Sequence, residues 1–164
     1  LNFEEFKLYG VVHLNDKNQL VDFKTGKAKG KYIIKHWISY LCYQPESESY
    51  LYFEDKIVKF NPIQNAPELL SIILEKWRLI HQQPWLFHPA AMVNVRTNDI
   101  ALATEIAYYN SLKGNERFPA TEGQRYFLQQ LLDYDYQSDV EEYIKPLLES
   151  IELVDYSEVI DATV

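Results

Sequence analysis

Two side chains near the start of the chain, Asp22 and Lys24, have the types and spacing that metal-dependent cleavage of a phosphodiester requires. A β-strand projects alternate side chains from one face, so residues two apart would lie side by side. The carboxylate could hold Mg²⁺, and the ammonium could neutralise charge on the phosphate or the attacking water. Such a pair is more often only a solvated strand end, so the spacing alone does not establish catalysis.

The residues on either side of this pair predict a β-hairpin. Residues 8–14 (LYGVVHL) form a near-continuous apolar run, which is typical of a strand covered on both faces. Residues 15–18 are a polar turn cluster, so residues 19–24 are predicted to return antiparallel to the first run. This arrangement would place His13 on the neighbouring strand, close to Asp22.

A helix is predicted directly after the hairpin, over residues 31–43. Its apolar residues recur at helical spacing, and those expected to face the core are Ile34, Trp37, Ile38 and Leu41. Pro45 is expected to end the helix, because the residue before a proline is pushed out of the helical region.

Beyond this helix the pattern predicts a second hairpin and further helices. Residues 49–54 and 56–60 alternate and are rich in β-forming residues, with Asp55 at the turn. A helix capped by Asn65 is expected to bury Trp77 in the core. Further helices are predicted over 99–112, 122–132 and 139–149, the last interrupted by Pro146, with a strand or a frayed tail after Ser150.

Length and composition indicate one globular domain. The chain has 164 residues, of which 47% are apolar and 15% aromatic, enough for a single core. One cysteine, Cys42, excludes an internal disulfide framework and favours a reduced, cytoplasmic setting. No apolar run approaches the roughly 20 residues that span a bilayer, so no membrane partner is expected. The first residue is leucine, from which we expect a fragment of a longer protein.

Charge is distributed unevenly along the chain. The net charge of −8 argues against a dedicated nucleic-acid coat without excluding local contact. Within residues 133–161 every charged side chain except Lys145 is acidic, whereas lysines crowd residues 24–35. Such a cluster is compatible with a solvated loop or with a surface that binds phosphate or an acidic partner. The candidate DNA- or partner-binding residues are Lys27, Lys29, Lys31 and Lys35.

The sequence around Asp22 and Lys24 resembles the hairpin of RecB-type nucleases of the PD-(D/E)XK superfamily. In that pattern the first strand ends in Gly-x-x-Asp and the second in Asp-x-Lys-Thr-Gly, and a helix carrying Gln and Tyr follows. The residues that match are Gly10, Asp22, Lys24, Thr25 and Gly26.

Other positions depart from this pattern. His13 stands where the first aspartate is expected, and His36 and Tyr40 stand where the helix would carry Gln and Tyr. A neutral imidazole adds no negative charge to a Mg²⁺ site, which prefers oxygen ligands. The resemblance therefore implies a degenerate nuclease site of His13, Asp22 and Lys24, with no catalysis, no bound metal and no other cofactor.

The order of segments further along resembles the C-terminal domain of RecC, the gamma subunit of exodeoxyribonuclease V. The similarity runs through HWISYLCY, SYLYFEDKIVKF, APELLSIILEKW and QQPWLFHPAA, and it is weaker at EEYIKPLLESI. It implies a single α/β domain with a RecB-nuclease-like, PD-(D/E)XK core sheet and flanking helices over about 8–113. A helical extension over about 114–150 and a tail over 151–164 would follow.

The same resemblance implies a function and partners. In that family the domain has no nuclease activity and lies in a helicase–nuclease complex with RecB- and RecD-like subunits, near the point where duplex DNA is parted. We therefore expect a non-catalytic scaffold that handles DNA and helps subunits to assemble during double-strand-break repair by recombination.

Two alternatives stay open on the sequence. One is an active RecB-type, Mg²⁺-dependent nuclease domain whose missing carboxylate comes from elsewhere, such as Asp16 or Glu54. The other is a protein-interaction module in an unrelated α/β protein, in which the Asp-x-Lys spacing is accidental.

Overall fold

A computed structural model describes residues 2–3, 6–7, 11–43, 47–80, 88–96, 99–104 and 137–156. The strands in chain order are β1 (Asn2–Phe3), β2 (Phe6–Lys7), β3 (Val21–Phe23), β4 (Ser49–Tyr52), β5 (Ile57–Phe60), β6 (Val93–Val95), β7 (Ile100–Leu102) and β8 (Ile151–Val154). The helices are α1 (Gly30–Tyr43), α2 (Ala66–Ile80), α3 (Pro89–Met92), α4 (Gln137–Asp139), a π-helical turn (Val140–Ile144) and α5 (Lys145–Glu149). The fold is thus mixed α/β, as predicted.

The central sheet has four strands in the order β3-β4-β5-β8. Strands β3 and β4 run parallel, with Asp22 opposite Leu51, and α1 forms the crossover between them. Strands β4 and β5 form the predicted second hairpin, and β8 pairs antiparallel with β5. The residues after Ser150 therefore supply a strand of the central sheet, which was one of the two outcomes predicted for them.

One face of this sheet packs against α1, and we call it the inner face. Ser49, Leu51 and Phe60 point to it and are 0% exposed. On α1 the buried side chains recur at helical spacing and are Ile33, His36, Trp37, Tyr40 and Leu41. Helix α2 in turn packs against α1, so the core lies between the sheet and these two helices.

The face that α1 buries is rotated from the predicted one. Trp37 and Leu41 are buried as expected, but Ile38 is 36% exposed and His36 is buried instead. A histidine can occupy this stripe because a hydrogen bond to Ser49 replaces its lost contact with water. The prediction ranked residues by hydropathy alone, and it therefore missed a polar residue with a buried partner.

The first hairpin is shorter than predicted. Residues 11–13 form no strand, and the only antiparallel pairing in the described part of this segment is the Leu14–Leu20 bridge. The turn between them is as expected, because the Asn15 side chain accepts hydrogen bonds from the amides of Lys17 and Gln19. Residues 8–10 lie outside the described part of the chain.

Two other predictions were wrong. Trp77, expected in the core, is 48% exposed, because the last fully buried side chain of α2 is Leu70 and the helix continues past it. The helix predicted from residue 99 begins instead as a strand. β7 pairs with β6, and an Arg96 amide to Asp99 carbonyl hydrogen bond of 2.8 Å closes their turn.

The C-terminal helix predicted over 139–149 is present, with the interruption expected at Pro146. The π-helical turn ends two residues before the proline, which has no N–H to donate to the preceding turn. The helix predicted over 122–132 and residues 105–112 lie outside the described residues. In the part of the chain with described structure, no helix is long and apolar enough to cross a membrane.

Candidate functional site

Asp22 and Lys24 share one face of β3, as the period of two predicts. The Lys24 ammonium lies 2.5 Å from Asp22 Oδ2, and the two side chains are 26% and 44% exposed, respectively. The second carboxylate oxygen, Oδ1, accepts a 2.8 Å hydrogen bond from the Phe23 amide. Both oxygens of the carboxylate therefore already have a donor within the chain.

The electrostatics of Asp22 reflect these contacts. Partial burial alone would raise the pKa of the carboxyl, but the hydrogen bonds from Lys24 and the Phe23 amide outweigh it. The positive charge of Lys24 acts in the same direction, so the pKa lies below its ordinary value of 3.8. Asp22 is consequently a carboxylate at neutral pH, held in an ion pair with its neighbour.

A buried polar cluster beneath this pair is formed by His36, Ser49 and the Leu20 carbonyl. The Ser49 hydroxyl donates a 2.7 Å hydrogen bond to the Leu20 carbonyl. Its only proton is thereby used, so at the His36 contact, also 2.7 Å, the hydroxyl accepts and His36 Nε2 donates. These contacts fix the imidazole as the Nε2-protonated tautomer.

Burial lowers the pKa of His36 to about 4, and the nearby positive charge of Lys24 acts in the same direction. The negative charge of Asp22 opposes this shift without cancelling it, so the imidazole is neutral at physiological pH. Asp22, His36 and Ser49 are the residue types of a Ser-His-Asp catalytic triad. Ser49 is 0% exposed, however, and its proton is committed to a backbone carbonyl, so it cannot act as a nucleophile.

The remaining predicted site residues do not complete a metal centre. His13 is exposed and belongs to no strand, so its predicted place on a strand next to Asp22 is wrong. Asp16 lies in the exposed turn that precedes β3. Glu54 is exposed near the end of β4, where its amide donates to the Gly26 carbonyl. Among the described residues no group of three or more His, Cys, Asp or Glu side chains could hold a metal ion.

The four candidate lysines all lie at the surface. Lys27 and Lys29 are in the loop between β3 and α1, and Lys31 and Lys35 are one turn apart on the exposed face of α1. Within the described ranges no ion pair is formed by any of them. Lys31 instead places its ammonium 4.8 Å from the ring centroid of Tyr32.

The loop that carries Lys27 and Lys29 is held against the β4–β5 turn. The Ala28 amide donates a 2.9 Å hydrogen bond to the Asp55 carboxylate, and the Glu54 amide donates to the Gly26 carbonyl at 3.0 Å. Gly26 has a φ of +98°, which a glycine adopts without strain. The backbone of this loop is thus held beside the carboxyl ends of β3 and β4.

The sequence of residues 1–98 matches the family model of the RecC C-terminal domain. The match spans well over half of the 164 residues. The chain belongs to the RecC C-terminal domain family. Membership places it in the context of the exodeoxyribonuclease V, or RecBCD-type, complex and its role in DNA repair. No curated protein matches the chain.

The match to the RecC C-terminal domain covers both parts of the candidate site. It includes β3 with Asp22 and Lys24, the four lysines, and the β4–β5 hairpin. Strand β8 and the helical segment before it lie outside the matched residues.

An open cavity lies at the carboxyl ends of the two parallel strands of this RecC-family domain. Its volume is about 460 Å³, and its lining includes Phe23, Lys24, Gly26, Tyr52 and Glu54. Ligands of open α/β sheets commonly bind at this end of parallel strands. Sequence reasoning did not identify the cavity, because it depends on how β3 and β4 pair across the 25 residues that separate them (residues 24–48).

Proposed function

We propose that this domain is a non-catalytic, nuclease-like scaffold that handles DNA and helps subunits to assemble in an exodeoxyribonuclease V complex. Its role would be in double-strand-break repair by recombination, with RecB- and RecD-like subunits as partners. The observation that carries the proposal is the contrast between a closed Asp22–Lys24 ion pair and the exposed lysines beside it.

The Asp22–Lys24 pair supports descent from a nuclease of the PD-(D/E)XK type. The Asp-x-Lys-Thr-Gly motif ends strand β3, and helix α1 follows, which is the order that the resemblance implies. A catalytic carboxylate would need its oxygens free for a metal ion, whereas both oxygens of Asp22 accept hydrogen bonds from within the chain. We infer from this that the motif is kept for structure rather than for cleavage.

The lysines supply the positive charge that a DNA scaffold needs. Four exposed ammonium groups without described ion-pair partners would repel one another unless solvent, phosphate or an acidic surface screens them. Lysine contacts to phosphate are independent of base sequence, which suits a domain that contacts whatever DNA passes.

An active RecB-type nuclease remains the second candidate function. Glu54 lines the same cavity as Lys24 and could supply a further carboxylate. The alternative of an unrelated interaction module loses its support, because the family match extends far beyond the Asp-x-Lys spacing.

The proposal is tested with Lys27→Ser, Lys29→Ser and Lys31→Ser combined in the intact protein. We expect an unchanged fold, because exposed substitutions usually change stability by about 0.5 kcal/mol or less each. We expect weaker binding to DNA ends or weaker co-purification with the partner subunits, with the largest difference from wild type at low salt.

The salt dependence identifies the mechanism. Each lost phosphate contact reduces the steepness of log affinity against log salt by about 0.7–0.9, so the triple variant should lose roughly two to three units of slope. Lys145→Ser is the control, since Lys145 is exposed but paired with Glu141 at 2.7 Å on the C-terminal helical segment. If the triple variant binds DNA and assembles like wild type across the salt series, these lysines belong to a solvated loop without a binding role.

Three expectations from the sequence stay predictions: one domain over 1–164, a cytoplasmic location, and the absence of a cofactor.

A further inference from the structure

The outer face of β3, opposite Asp22 and Lys24, exposes an aromatic ring. Phe23 is 69% exposed although it lies within a strand of the central sheet. A single exposed apolar side chain is common at a protein surface, whereas a contiguous exposed apolar patch indicates a binding site. The neighbours of Phe23 therefore decide whether its ring has a role.

Phe23 is not isolated, because it stacks on Tyr52 of the neighbouring strand. The two residues are register partners in the parallel pair, and their ring centroids are 4.9 Å apart with an angle of 19° between planes. Tyr50 lies two residues before Tyr52 on the same face, with its ring centroid 6.4 Å from that of Tyr52. The stack is thus fixed by the sheet, and it presents a flat, preordered aromatic surface to solvent.

The cavity of about 460 Å³ opens beside this stack. Its volume falls within the range of about 300–1,000 Å³ that is usual for sites of small ligands. A Cβ added to Gly26 would meet no atom within 4 Å, so the backbone of the lysine-bearing loop is open to close approach from this side. Tyr156 completes the lining and donates a hydrogen bond to the Phe53 carbonyl.

Lysines follow the aromatic surface along the chain. Lys24 and Gly26 line the cavity together with Glu54, and the exposed Lys27 and Lys29 come next in the loop whose backbone is hydrogen-bonded to the β4–β5 turn at Gly26 and Ala28. Aromatic rings next to a row of lysines match the composition of single-stranded nucleic acid, which offers both ring faces and phosphates. An apolar protein partner would use the rings but would leave the neighbouring ammonium groups without counter-charge.

We propose that the Phe23–Tyr52 stack is a base-stacking site for single-stranded nucleic acid. A base lies on the exposed ring of Phe23, and the adjacent phosphates of the strand face Lys27 and Lys29. Inside an intact duplex both faces of each base are covered by its neighbours, so apart from the terminal pair of a blunt end only an unpaired strand offers a ring face to this site. This inference rests on the proposed role in DNA handling, and it adds to that role a ligand class and a place.

The test compares three fluorescent oligonucleotides binding to the intact protein. The first is oligothymidine, the second is an abasic strand of equal length and charge, and the third is a blunt duplex. The variants are Phe23→Ala, Phe23→Trp and the combined Lys27→Ser, Lys29→Ser, Lys31→Ser. Leu102→Ala on β7 is the control for loss of a partly exposed apolar side chain, since Leu102 is 38% exposed.

We expect Phe23→Ala to weaken binding of oligothymidine by roughly 5- to 100-fold, which corresponds to about 1–3 kcal/mol of stacking per base. Its affinity for the abasic strand and its salt slope should stay at wild-type values. Phe23→Trp should keep or increase the affinity for oligothymidine, because it retains a ring face. The lysine variant should weaken binding to all three ligands, and Leu102→Ala should change none.

Several results would overturn the proposal. Equal losses for oligothymidine and the abasic strand, or no loss in Phe23→Ala, would show that no base stacks on this ring. Loss of a partner subunit from Phe23→Ala with unchanged DNA binding would make the surface a protein contact instead. If the lysine variant loses DNA and Phe23→Ala does not, the scaffold role stands without this site. If neither the wild type nor these two variants bind any of the three oligonucleotides, both proposals fail.

Discussion

The two faces of strand β3 use their side chains in opposite ways. On the inner face, Asp22 is paired with Lys24, and His36 beneath it is held by Ser49, so each polar group has a partner within the chain. On the outer face Phe23 exposes most of its ring, and in the loop after β3 Lys27 and Lys29 have no described ion-pair partner. The polar groups of the motif that resembles a catalytic site thus have ion-pair or hydrogen-bond partners within the chain, while side chains of the neighbouring surface remain exposed to a ligand.

This difference separates side chains that are paired within the chain from side chains that remain exposed. A carboxylate whose oxygens are occupied contributes to stability and leaves little for a metal ion. Rings and ammonium groups that stay exposed cost the fold little, and they remain available to bases and phosphates. The comparison therefore predicts that inner-face changes affect stability, whereas outer-face changes affect binding.

The largest expected effect separates two phenylalanines on the opposite faces. Phe60 is 0% exposed and its ring contacts those of His36 and Tyr40, so Phe60→Ala should lower the free energy of unfolding by about 3–5 kcal/mol. Phe23→Ala should lower it by less than about 1 kcal/mol, because the ring is mostly in water already. Urea denaturation of both variants measures this. Equal losses of unfolding free energy in Phe60→Ala and Phe23→Ala would contradict the distinction between the inner and outer faces.

The next effect is a pH dependence caused by His36. The pKa of this side chain is about 4 in the folded state, against an ordinary value of 6.5. Above pH 6.5 the imidazole is neutral in both states. As the pH falls from 6.5 to 4, only the unfolded chain gains the proton, and the free energy of unfolding drops by about 3 kcal/mol.

His36→Gln removes this titration and keeps an N–H donor for Ser49. Between pH 6.5 and 4 its free energy of unfolding should fall less steeply than that of wild type, by a slope that corresponds to about one proton. Urea denaturation at several pH values measures this slope. His13→Gln is the matched control, because His13 is exposed and should leave the wild-type profile unchanged. An identical pH profile in His36→Gln would show that the buried imidazole does not control acid stability.

A smaller effect is expected from Ser49→Ala. This change leaves the buried His36 N–H without a partner, which should cost about 1–3 kcal/mol, while the Leu20 carbonyl keeps its hydrogen bond from the Tyr50 amide. Ser39→Ala is the control, since Ser39 donates to the Lys35 carbonyl within an exposed part of α1. Thermal denaturation of both should show a loss for Ser49→Ala alone, and similar melting temperatures would contradict a structural role for the cluster.

The smallest effect is expected from Asp22→Asn. An ion pair that is 26% and 44% exposed should contribute no more than about 1 kcal/mol to stability. Asp139→Asn provides the contrast, because Asp139 is 3% exposed and pairs with Lys76 at 2.8 Å. Chemical denaturation should rank Asp139→Asn as the more destabilising change. The reverse order would mean that Asp22 contributes more to stability than expected for a carboxylate with its exposure.

The parts of the fold that depend on local pattern could be predicted from the sequence. Alternation placed Asp22 and Lys24 on one face, and turn residues located the β4–β5 hairpin. The buried histidine could not be assigned in the same way, because its partner Ser49 lies 13 residues further along. One signal did exist: His36 falls on the same helical stripe as Ile33, Trp37 and Tyr40, and a polar residue there indicates a buried partner.

Long-range pairing also explains what the sequence could not predict about the surface. Phe23 and Tyr52 become neighbours only because β3 and β4 pair in parallel, and the cavity beside them follows from that register. The exposure of Trp77 likewise depends on where the core ends along α2, which periodicity does not reveal.

The most direct test of the account is degradation of linear duplex DNA by the intact complex with Mg²⁺ present. Asp22→Ala and the combined Lys27→Ser, Lys29→Ser, Lys31→Ser variant are each assembled with the RecB- and RecD-like subunits and compared with wild type. The account predicts a wild-type degradation rate per bound complex for Asp22→Ala and weaker binding to DNA ends for the lysine variant. A loss of degradation in a fully assembled Asp22→Ala complex, with the lysine variant unaffected, would contradict it.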